Sequence, residues 1–328
     1  MSKIVVLGCG LMGPTVAKDC AEDASVSRVL ACDIDEERLG KAEEFVSNPK
    51  LETAKLSVAD HGALVERMRG FDVVVNATAA RFSLGVLAAA MEAGVDVVDL
   101  GGGGYPLEGE LYDRVERAGI TAIPGCGVDP GFIDILCGYG MDLMDEVDEV
   151  HFACGGLPRD PEPPLDYKIV FGGRRMPIRP GKVPMILDGE RVEVDRYGDL
   201  EPVYIEGLRD MEAFYDGFPS SLLKLCDERG VRVFMGKTVR YAGFVDKLMF
   251  LLDLGVIGNE PVAYQGGEIV PLDFFHELVY PIVRFDEAEG DRDITVLLTR
   301  VEGVKGGSEV IVTYEMVERL GNNISTKQ

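Results

Sequence analysis

The sequence predicts two domains: a doubly wound parallel α/β sheet over residues 1–130, and an α+β domain with a mostly antiparallel sheet over residues 131–328. Three observations lead to this prediction. The chain has 328 residues, more than one hydrophobic core usually supports. The first part alternates short Val/Ile/Leu-rich runs with helical patterns, which is typical of a parallel sheet covered on both faces. After residue 130 hairpin patterns replace that alternation.

The elements of the first domain follow from its hydrophobic periodicity. Apolar runs predict strands at Ile4–Leu7, Arg28–Cys32, Phe71–Asn76, Val95–Leu100 and Ile120–Ile123, with a weaker one at Thr53–Val58. Helices are predicted in EERLGKAEEFV, HGALVERMRG, RFSLGVLAAAMEAG and LEGELYDRVERAG. The last two end on a glycine, which suits a left-handed C-terminal cap.

The second domain mixes hairpins with helices. ILDGERVEV predicts a hairpin closed by Asp188 and Gly189, and ITVLLTRVEGVKGGSEVIVTYEM predicts a second, longer one. Helices are predicted in PSSLLKLCDERG, GFVDKLMFLLDLG and LDFFHELVYPIV. FIDILCGYGMD, at the start of the domain, is expected to form a helix with Asp129 as its N-cap and Pro130 at its first position.

Charge and composition exclude several classes of function. The formal net charge of −24 argues against binding nucleic acid or an anionic membrane. The seven cysteines form no C-x-x-C pair and are expected to be reduced thiols. No run approaches the roughly 18 apolar residues of a membrane span. We therefore expect a cytoplasmic protein.

The sequence also argues against metal binding or proton transfer by histidine. The three histidines, His61, His151 and His276, lie neither in a metal-ligand spacing nor beside a candidate nucleophile. No metal site is predicted. Proton transfer would then fall to Lys, Tyr, Asp, Glu or water.

A glycine motif follows the first strand directly. Gly8, Gly10 and Gly13 form G-x-G-x-x-G, and Pro14 opens the helix that comes next. In this context the first glycine permits a tight turn, the second lets the backbone approach a pyrophosphate, and the third allows close helix–strand packing. With the intervening Leu11 and Met12, these glycines are predicted to bind a dinucleotide at the helix N-terminus, in a Rossmann domain. The alternative is a purely structural glycine turn.

Asp33 ends the second strand, about 20 residues past the last glycine, where a carboxylate can accept the ribose hydroxyls of NAD. The same charge would repel the 2′-phosphate of NADP, and no arginine directly follows. NAD is therefore predicted over NADP.

Other candidate site residues follow strands of the parallel sheet, where ligands collect beyond the carboxyl ends. Asn76, Ala77 and Thr78 follow one strand, and Asp99 and Leu100 another; all five are predicted to contact the cofactor. Tyr105 comes after a run of four glycines and could bind substrate, and Asp129 is a candidate catalytic residue.

At this point the chain resembles the saccharopine dehydrogenase superfamily, and especially its lysine 6-dehydrogenase branch. The matching stretches are VVLGCGLMG, DVVVNA, GVDVVDLGG, AGITAIPGCGVDPG, GGLPRDPEPPLDYKIVF, DMEAFYDG and KTVRYAGF. The resemblance implies an NAD-dependent oxidation of an amine on a small amino-acid substrate, and a homodimer formed largely through the second domain. Arg240 and Lys168 lie within family-specific strings and are predicted to clamp a carboxylate or act as base.

The leading functional hypothesis is oxidative deamination of the lysine side-chain amine. In the lysine 6-dehydrogenase branch a histidine follows R-Y-x-G, whereas this chain has Phe244, as saccharopine reductases do. Formation or cleavage of a secondary amine, as in saccharopine, is therefore kept as an alternative. A hydroxy-acid or semialdehyde dehydrogenase is a second alternative. A non-catalytic NAD-binding paralogue is a third, prompted by Phe244 and by the end of the sequence at NNISTKQ, where family members continue with a helical segment.

Overall fold

The structure is a computed structural model that describes residues 1–101, 107–170, 173–179, 181–217 and 220–319. The chain folds into two compact units, and the boundary between them lies between Asp134 and Ile135, inside one helix. Each unit has its own sheet.

The first unit alternates strands and helices along its whole length. In chain order its elements are β1 (Ser2–Leu7), α1 (Gly13–Glu22), β2 (Val26–Asp33), α2 (Glu36–Val46), β3 (Leu51–Lys55), α3 (His61–Met68), β4 (Val73–Asn76), α4 (Ser83–Ala93), β5 (Asp96–Asp99), α5 (Gly109–Ala118) and β6 (Ala122–Ile123). The strands form a parallel sheet in the order β3-β2-β1-β4-β5-β6. This order, with the first strand central, confirms the predicted doubly wound architecture.

The core of the first unit explains why the strands read as continuous apolar runs. Val5 and Leu7 on β1 point to one face and pack with Leu64 of α3 and Val86 of α4. Val6 points to the opposite face, where it packs with Ala17 of α1. Gly94 and Gly119 adopt left-handed conformations and end α4 and α5 as predicted.

The second unit is built on a mixed sheet with helices. Its elements are α6 (Phe132–Asp142), β7 (Glu146–Pro158), β8 (Lys182–Leu187), β9 (Glu190–Asp195), β10 (Glu201–Val203), β11 (Met211–Tyr215), α7 (Ser220–Glu228), β12 (Val233–Tyr241), α8 (Phe244–Asp253), β13 (Val262–Tyr264), β14 (Gly267–Ile269), α9 (Pro271–Val283), β15 (Asp293–Lys305) and β16 (Ser308–Arg319). Eight strands form the main sheet, in the order β10-β11-β12-β7-β15-β16 with β8 and β9 attached to β12.

Both predicted hairpins are present. β8 and β9 are joined by Asp188 and Gly189, each with positive φ, and β15 and β16 by Gly306 and Gly307. All described strand pairs of this sheet are antiparallel except β7 with β12, which are parallel. The expectation of a mostly antiparallel sheet is confirmed, although the sequence did not indicate the strands β11 and β12.

The predicted cap of α6 is wrong. The helix covers the expected residues but begins at Phe132, after Gly131, whose φ is +128°. The N–H groups of Phe132 and Ile133 donate to the carbonyl oxygens of Gly127 (2.8 Å) and Val128 (3.1 Å). The helix therefore begins two residues later than predicted: Gly131, and not Asp129, precedes its first residue, and Pro130 lies outside it.

None of the described helices is both long and apolar enough to cross a membrane.

Candidate active site

The glycine motif forms a loop that only small residues permit. Gly8 has a φ of +93°, and a Cβ placed on it would lie 2.9 Å from the Ala77 carbonyl oxygen. A Cβ on Gly13 would lie 1.8 Å from the Gly8 carbonyl oxygen, so α1 begins against the loop at a distance that no side chain allows. A Cβ on Gly10, by contrast, would meet no atom within 4 Å. The loop therefore presents open backbone at Gly10, where a pyrophosphate is predicted to approach.

The start of α1 leaves its N–H groups available. Met12 occupies the N-cap position and makes no side-chain hydrogen bond, Pro14 stands in the first turn, and that turn carries no acidic side chain. Leu11, in the loop before it, is exposed. An uncapped helix N-terminus with its positive dipole end is suited to an anionic phosphate.

The Asp33 carboxylate helps to hold the glycine loop in place by accepting backbone hydrogen bonds. Its side chain is only 8% exposed, and its carboxylate accepts hydrogen bonds from the N–H groups of Cys9 (2.6 Å) and Asp35 (2.9 Å). Burial, followed by the charge of Asp33, raises the pKa of Cys9 to about 12, so this thiol in the glycine loop is not a nucleophile. The ribose contact of Asp33 stays a prediction.

The residues predicted after β4 and β5 form a buried network. The Asn76 amide donates to Asp99 (2.9 Å) and accepts from the N–H (3.1 Å) and the hydroxyl (2.6 Å) of Thr78. Asp99 also accepts from the N–H of Gly101 (2.7 Å). The network fixes the two loops that follow these strands. Since Asn76 and Asp99 are buried, their side chains position the loops, and direct cofactor contacts stay a prediction.

Backbone hydrogen bonds hold the remaining members of these loops. The Ala77 N–H donates to the Leu7 carbonyl oxygen (2.9 Å), and the Leu100 N–H to that of Asn76 (3.0 Å). Asp129 lies half-buried in the loop after β6. Tyr105 lies outside the described residues.

In the second unit, the two basic residues predicted as clamp or base have different surroundings. Lys168 donates to the Asp291 carboxylate at 2.6 Å, with both side chains largely buried. Asp291 is itself held by the Asp286 N–H at 2.9 Å. A lysine ion-paired in this way would have to leave Asp291 before it could act as a base.

Arg240 has no such carboxylate. It lies on β12 and is 4% exposed, and its guanidinium carbon lies 5.0 Å from the ring centroid of Tyr167 and 5.8 Å from that of Phe244. One terminal nitrogen donates to the Val239 carbonyl oxygen at 2.7 Å, whereas none of the residues that the structure describes accepts from Nε. Across the part of the chain that the structure describes, no carboxylate ion-pairs with Arg240.

The nearest acidic residue in the sheet register is already used. Glu212 lies directly opposite Arg240 on β11. Its two carboxylate oxygens accept from the N–H groups of Gly243 (2.8 Å) and Val245 (2.7 Å), at the start of α8. Glu212 therefore caps a helix and does not neutralise the arginine.

Tyr167, which sequence reasoning did not single out, is the partner of Arg240. Its ring is 2% exposed, and its hydroxyl makes no hydrogen bond to any described residue. Burial raises the pKa of this phenol above its usual value, while Arg240 and Arg179 act in the opposite direction. A signal did exist in the sequence, because Tyr167 lies next to Lys168 in the PEPPLDYKIVF string.

A second buried charge cluster lies close by. Asp216 accepts from Arg179 (2.6 Å), from Arg196 and from the Thr238 hydroxyl (3.0 Å). Two guanidinium groups thus share one carboxylate, and Arg179 is near enough to influence the Tyr167 phenol. The surroundings of Tyr167 are cationic in a protein whose net charge is −24.

Glu149, His151 and Glu302 place possible metal-ligand atoms within 4.8 Å of one another. However, Glu149 also pairs with Arg232, and Glu302 with Arg300 at 2.8 Å. These carboxylates already have cationic partners.

Two family comparisons cover almost the whole chain. Residues 4–123 match the family described as saccharopine dehydrogenase NADP binding domain, and residues 127–327 match the saccharopine dehydrogenase C-terminal domain. The chain belongs to the saccharopine dehydrogenase family. It is accordingly an oxidoreductase with a nicotinamide cofactor that acts on CH–NH or CH–NH₂ groups.

Curated relatives and a solved structure agree with this assignment. The carboxyaminopropylagmatine dehydrogenase of Synechocystis sp. is 24% identical over 332 residues, covering 94% of this chain and 79% of the relative. The carboxynorspermidine synthase of Vibrio cholerae is 25% identical over 341 residues, covering 93% and 78%. The apo saccharopine dehydrogenase (L-Glu forming) of Saccharomyces cerevisiae has the same fold, with a TM-score of 0.77 at 18% identity, covering 100% of this chain and 88% of the yeast chain.

Proposed function

We propose that this protein forms or cleaves a carbon–nitrogen bond of an amino acid with a nicotinamide dinucleotide, and that Arg240 holds a carboxylate of the substrate. The observation that carries the proposal is the burial of Arg240 with an unpartnered Nε and no carboxylate partner among the described residues. A buried cation without a counter-ion is costly. A substrate carboxylate would supply both the charge and the missing acceptor.

The chemistry requires a neutral amine. A base removes a proton from the ammonium, and the neutral amine can then lose hydride from the carbon bonded to its nitrogen, which leaves an iminium ion. Water adds to the iminium carbon, and loss of the amine and a proton gives a carbonyl compound. A primary amine releases ammonia, and a secondary amine releases the amine that was attached to the oxidised carbon. The nicotinamide supplies the hydride acceptor when bound, and the loop around Gly10 would hold its phosphates.

We place secondary amines that bear a carboxylate first among substrates, and the side-chain amine of lysine second. Phe244 supports this order. It packs against Tyr167, with ring centroids 5.7 Å apart, and stacks on Phe214 at 6.4 Å. An apolar ring therefore fills the position where the lysine 6-dehydrogenase branch has a histidine, and no imidazole is available there to move a proton. The names of the Synechocystis and Vibrio relatives point to carboxylated amines as well.

One experiment separates these substrates. Reduction of NAD⁺ and NADP⁺ would be followed by absorbance with saccharopine, carboxynorspermidine and L-lysine, and ammonia would be measured in parallel. We expect turnover of a secondary amine without ammonia. Ammonia released from lysine in proportion to NADH would favour the second candidate, and turnover confined to hydroxy acids would contradict the proposal.

We propose NAD as the preferred cofactor. Four carboxylates lie at the end of β2 and the start of α2, a region that would repel a 2′-phosphate: Asp33, Asp35, Glu36 and Glu37. Asp35 also caps α2 through the N–H of Glu37 at 2.9 Å. The ratio of NAD to NADP affinity, measured by calorimetry, tests this directly.

We also propose that the protein is a cytoplasmic homodimer. One face of α9 carries three apolar side chains, spaced four residues apart, that are each more than half exposed: Phe274, Leu278 and Ile282. Such an exposed apolar face supports an interface with a second copy of the chain. None of the seven cysteines forms a disulfide, which supports a reducing compartment. Sedimentation equilibrium would show a dimer, and a monomer at micromolar concentration would contradict this.

A further inference from the structure

Tyr167 poses a problem that the proposed carboxylate clamp does not solve by itself. Its hydroxyl is shielded from solvent and has no hydrogen-bond partner among the described residues. A buried hydroxyl without a partner costs about 1–3 kcal/mol of folding free energy. Native proteins keep such groups seldom, and each one calls for an explanation.

The neighbouring tyrosines show what this fold does when a hydroxyl has only a structural role. The Tyr241 hydroxyl donates to the Pro158 carbonyl oxygen at 2.8 Å. The Tyr197 hydroxyl accepts from the Arg179 N–H at 2.9 Å. Both tyrosines are buried like Tyr167, so burial alone does not account for its missing partner.

We propose that the Tyr167 hydroxyl is a second hydrogen-bond donor to the substrate carboxylate that Arg240 holds. The inference rests on the proposed function and names a binding residue that the clamp alone does not include. The two unsatisfied donors, the Tyr167 hydroxyl and Arg240 Nε, belong to side chains that stack on each other, with the guanidinium carbon 5.0 Å from the ring centroid. A carboxylate has two oxygens and can accept from both.

Electrostatics and protonation agree with this role. The phenol keeps its proton because burial raises its pKa, so it can donate to an anion. Two cations, Arg240 and Arg179, act on the phenol, and of these only Arg179 has a carboxylate partner, Asp216, which it shares with Arg196. In surroundings closed to water, a charge-assisted hydrogen bond is stronger than at the surface.

The ring and the hydroxyl of Tyr167 have separable functions. The ring holds the guanidinium by a cation–π contact, as does Phe244, and replacing Tyr167 by Phe keeps that contact. Only the hydroxyl is lost. Because no described residue pairs with that hydroxyl, its removal should not weaken the fold.

The experiment compares Tyr167→Phe with the matched control Tyr241→Phe in the full-length protein. For Tyr167→Phe we expect the Michaelis constant of the carboxylated substrate to rise about tenfold or more, with the kcat and the NAD affinity little changed. Its melting temperature without ligand should equal or exceed that of the wild type. Tyr241→Phe should melt lower, because the Pro158 oxygen loses its donor, and should keep the wild-type Michaelis constant.

A lower melting temperature for Tyr167→Phe with an unchanged Michaelis constant would overturn the inference, since it would assign the hydroxyl to an internal water or protein acceptor. If no amine is turned over, the proposed function fails, and the site is then probed by calorimetry with glutarate and its neutral analogue glutaramide. Weaker glutarate binding by Tyr167→Phe would still support the anion site. Equal binding by both proteins would contradict it.

Discussion

The candidate binding sites of the two units differ in which part of the chain they present to a ligand. In the first, the loop around Gly10 offers backbone, and the buried polar side chains Asp33, Asn76 and Asp99 are occupied with holding loops. In the second, Arg240 Nε and the Tyr167 hydroxyl are buried and have no hydrogen-bond partner among the described residues. The buried polar groups of the first site have their hydrogen-bond partners without a ligand. In the second site the unsatisfied donors lower the stability of the empty protein, and a bound ligand would offset that cost.

Substitutions in the glycine loop should have the largest effects and test the account of the first unit. Gly10→Val should abolish dinucleotide binding and leave the melting temperature near that of the wild type, because its Cβ meets no protein atom within 4 Å. Gly13→Ala should cost about 3 kcal/mol of unfolding free energy, because its Cβ would lie 1.8 Å from the Gly8 oxygen. Calorimetric titration with NAD and thermal melting measure the two effects. A Gly10→Val protein with wild-type NAD affinity would disprove the phosphate role of the loop.

Asp33→Ala tests whether Asp33, which stabilises the glycine loop, also determines the preference for NAD over NADP. The loss of two hydrogen bonds from backbone N–H groups to a buried carboxylate should lower the unfolding free energy by about 2–3 kcal/mol. The ratio of NAD to NADP affinity should fall, because a negative charge near the 2′-position is removed. Asp35→Ala, which removes an exposed cap, should cost about 1 kcal/mol and serves as the control. An unchanged affinity ratio would confine Asp33 to its structural role.

A smaller effect is expected on the pH dependence of stability in the second unit, through His276. Burial, followed by Arg175, lowers the pKa of His276 below its usual 6.5, whereas Asp273 and Glu277 oppose the shift. Its Nδ1 accepts from the Met176 N–H at 3.3 Å, so the folded state favours the neutral ring. The unfolded state then binds the proton more readily, and the stability that His276 contributes is present above pH 6.5 and is lost as the pH falls below it.

Melting between pH 8 and pH 5.5 measures this contribution. As the pH falls over this range, the melting temperature of the wild type should fall further than that of His276→Gln. The exposed His61, which pairs with Glu92, provides the control variant His61→Gln. A pH dependence identical in all three proteins would contradict the assignment to His276.

The same contrast explains what the sequence could predict. The first unit depends on local signals: glycine spacing, apolar strands and the caps at Gly94 and Gly119. These follow from neighbouring residues, so the strand positions and the loop were predictable. The start of α6 was predicted two residues too early, because its first N–H groups donate to backbone carbonyls of the preceding loop, which no side-chain pattern indicates.

The second site depends on contacts between distant segments. Arg240 could be proposed from the chemistry of carboxylate recognition, but its pairing with Tyr167 arises only when the segment before β8 folds onto β12. The Lys168–Asp291 ion pair is equally non-local. Sequence spacing carries no information on which of two adjacent residues, Tyr167 or Lys168, contacts the arginine.

The central claim, that Arg240 holds the substrate carboxylate, is tested most directly by Arg240→Met with a substrate and its decarboxylated analogue, such as L-lysine and cadaverine if lysine is turned over. We predict a Michaelis constant raised by about one to two orders of magnitude for the carboxylated substrate, equivalent to about 1.5–3 kcal/mol. The analogue should be a poor substrate of both proteins with little change between them, and NAD affinity should be preserved. Equal losses for both substrates, together with a lower melting temperature, would show that Arg240 only stabilises the fold and would contradict the account.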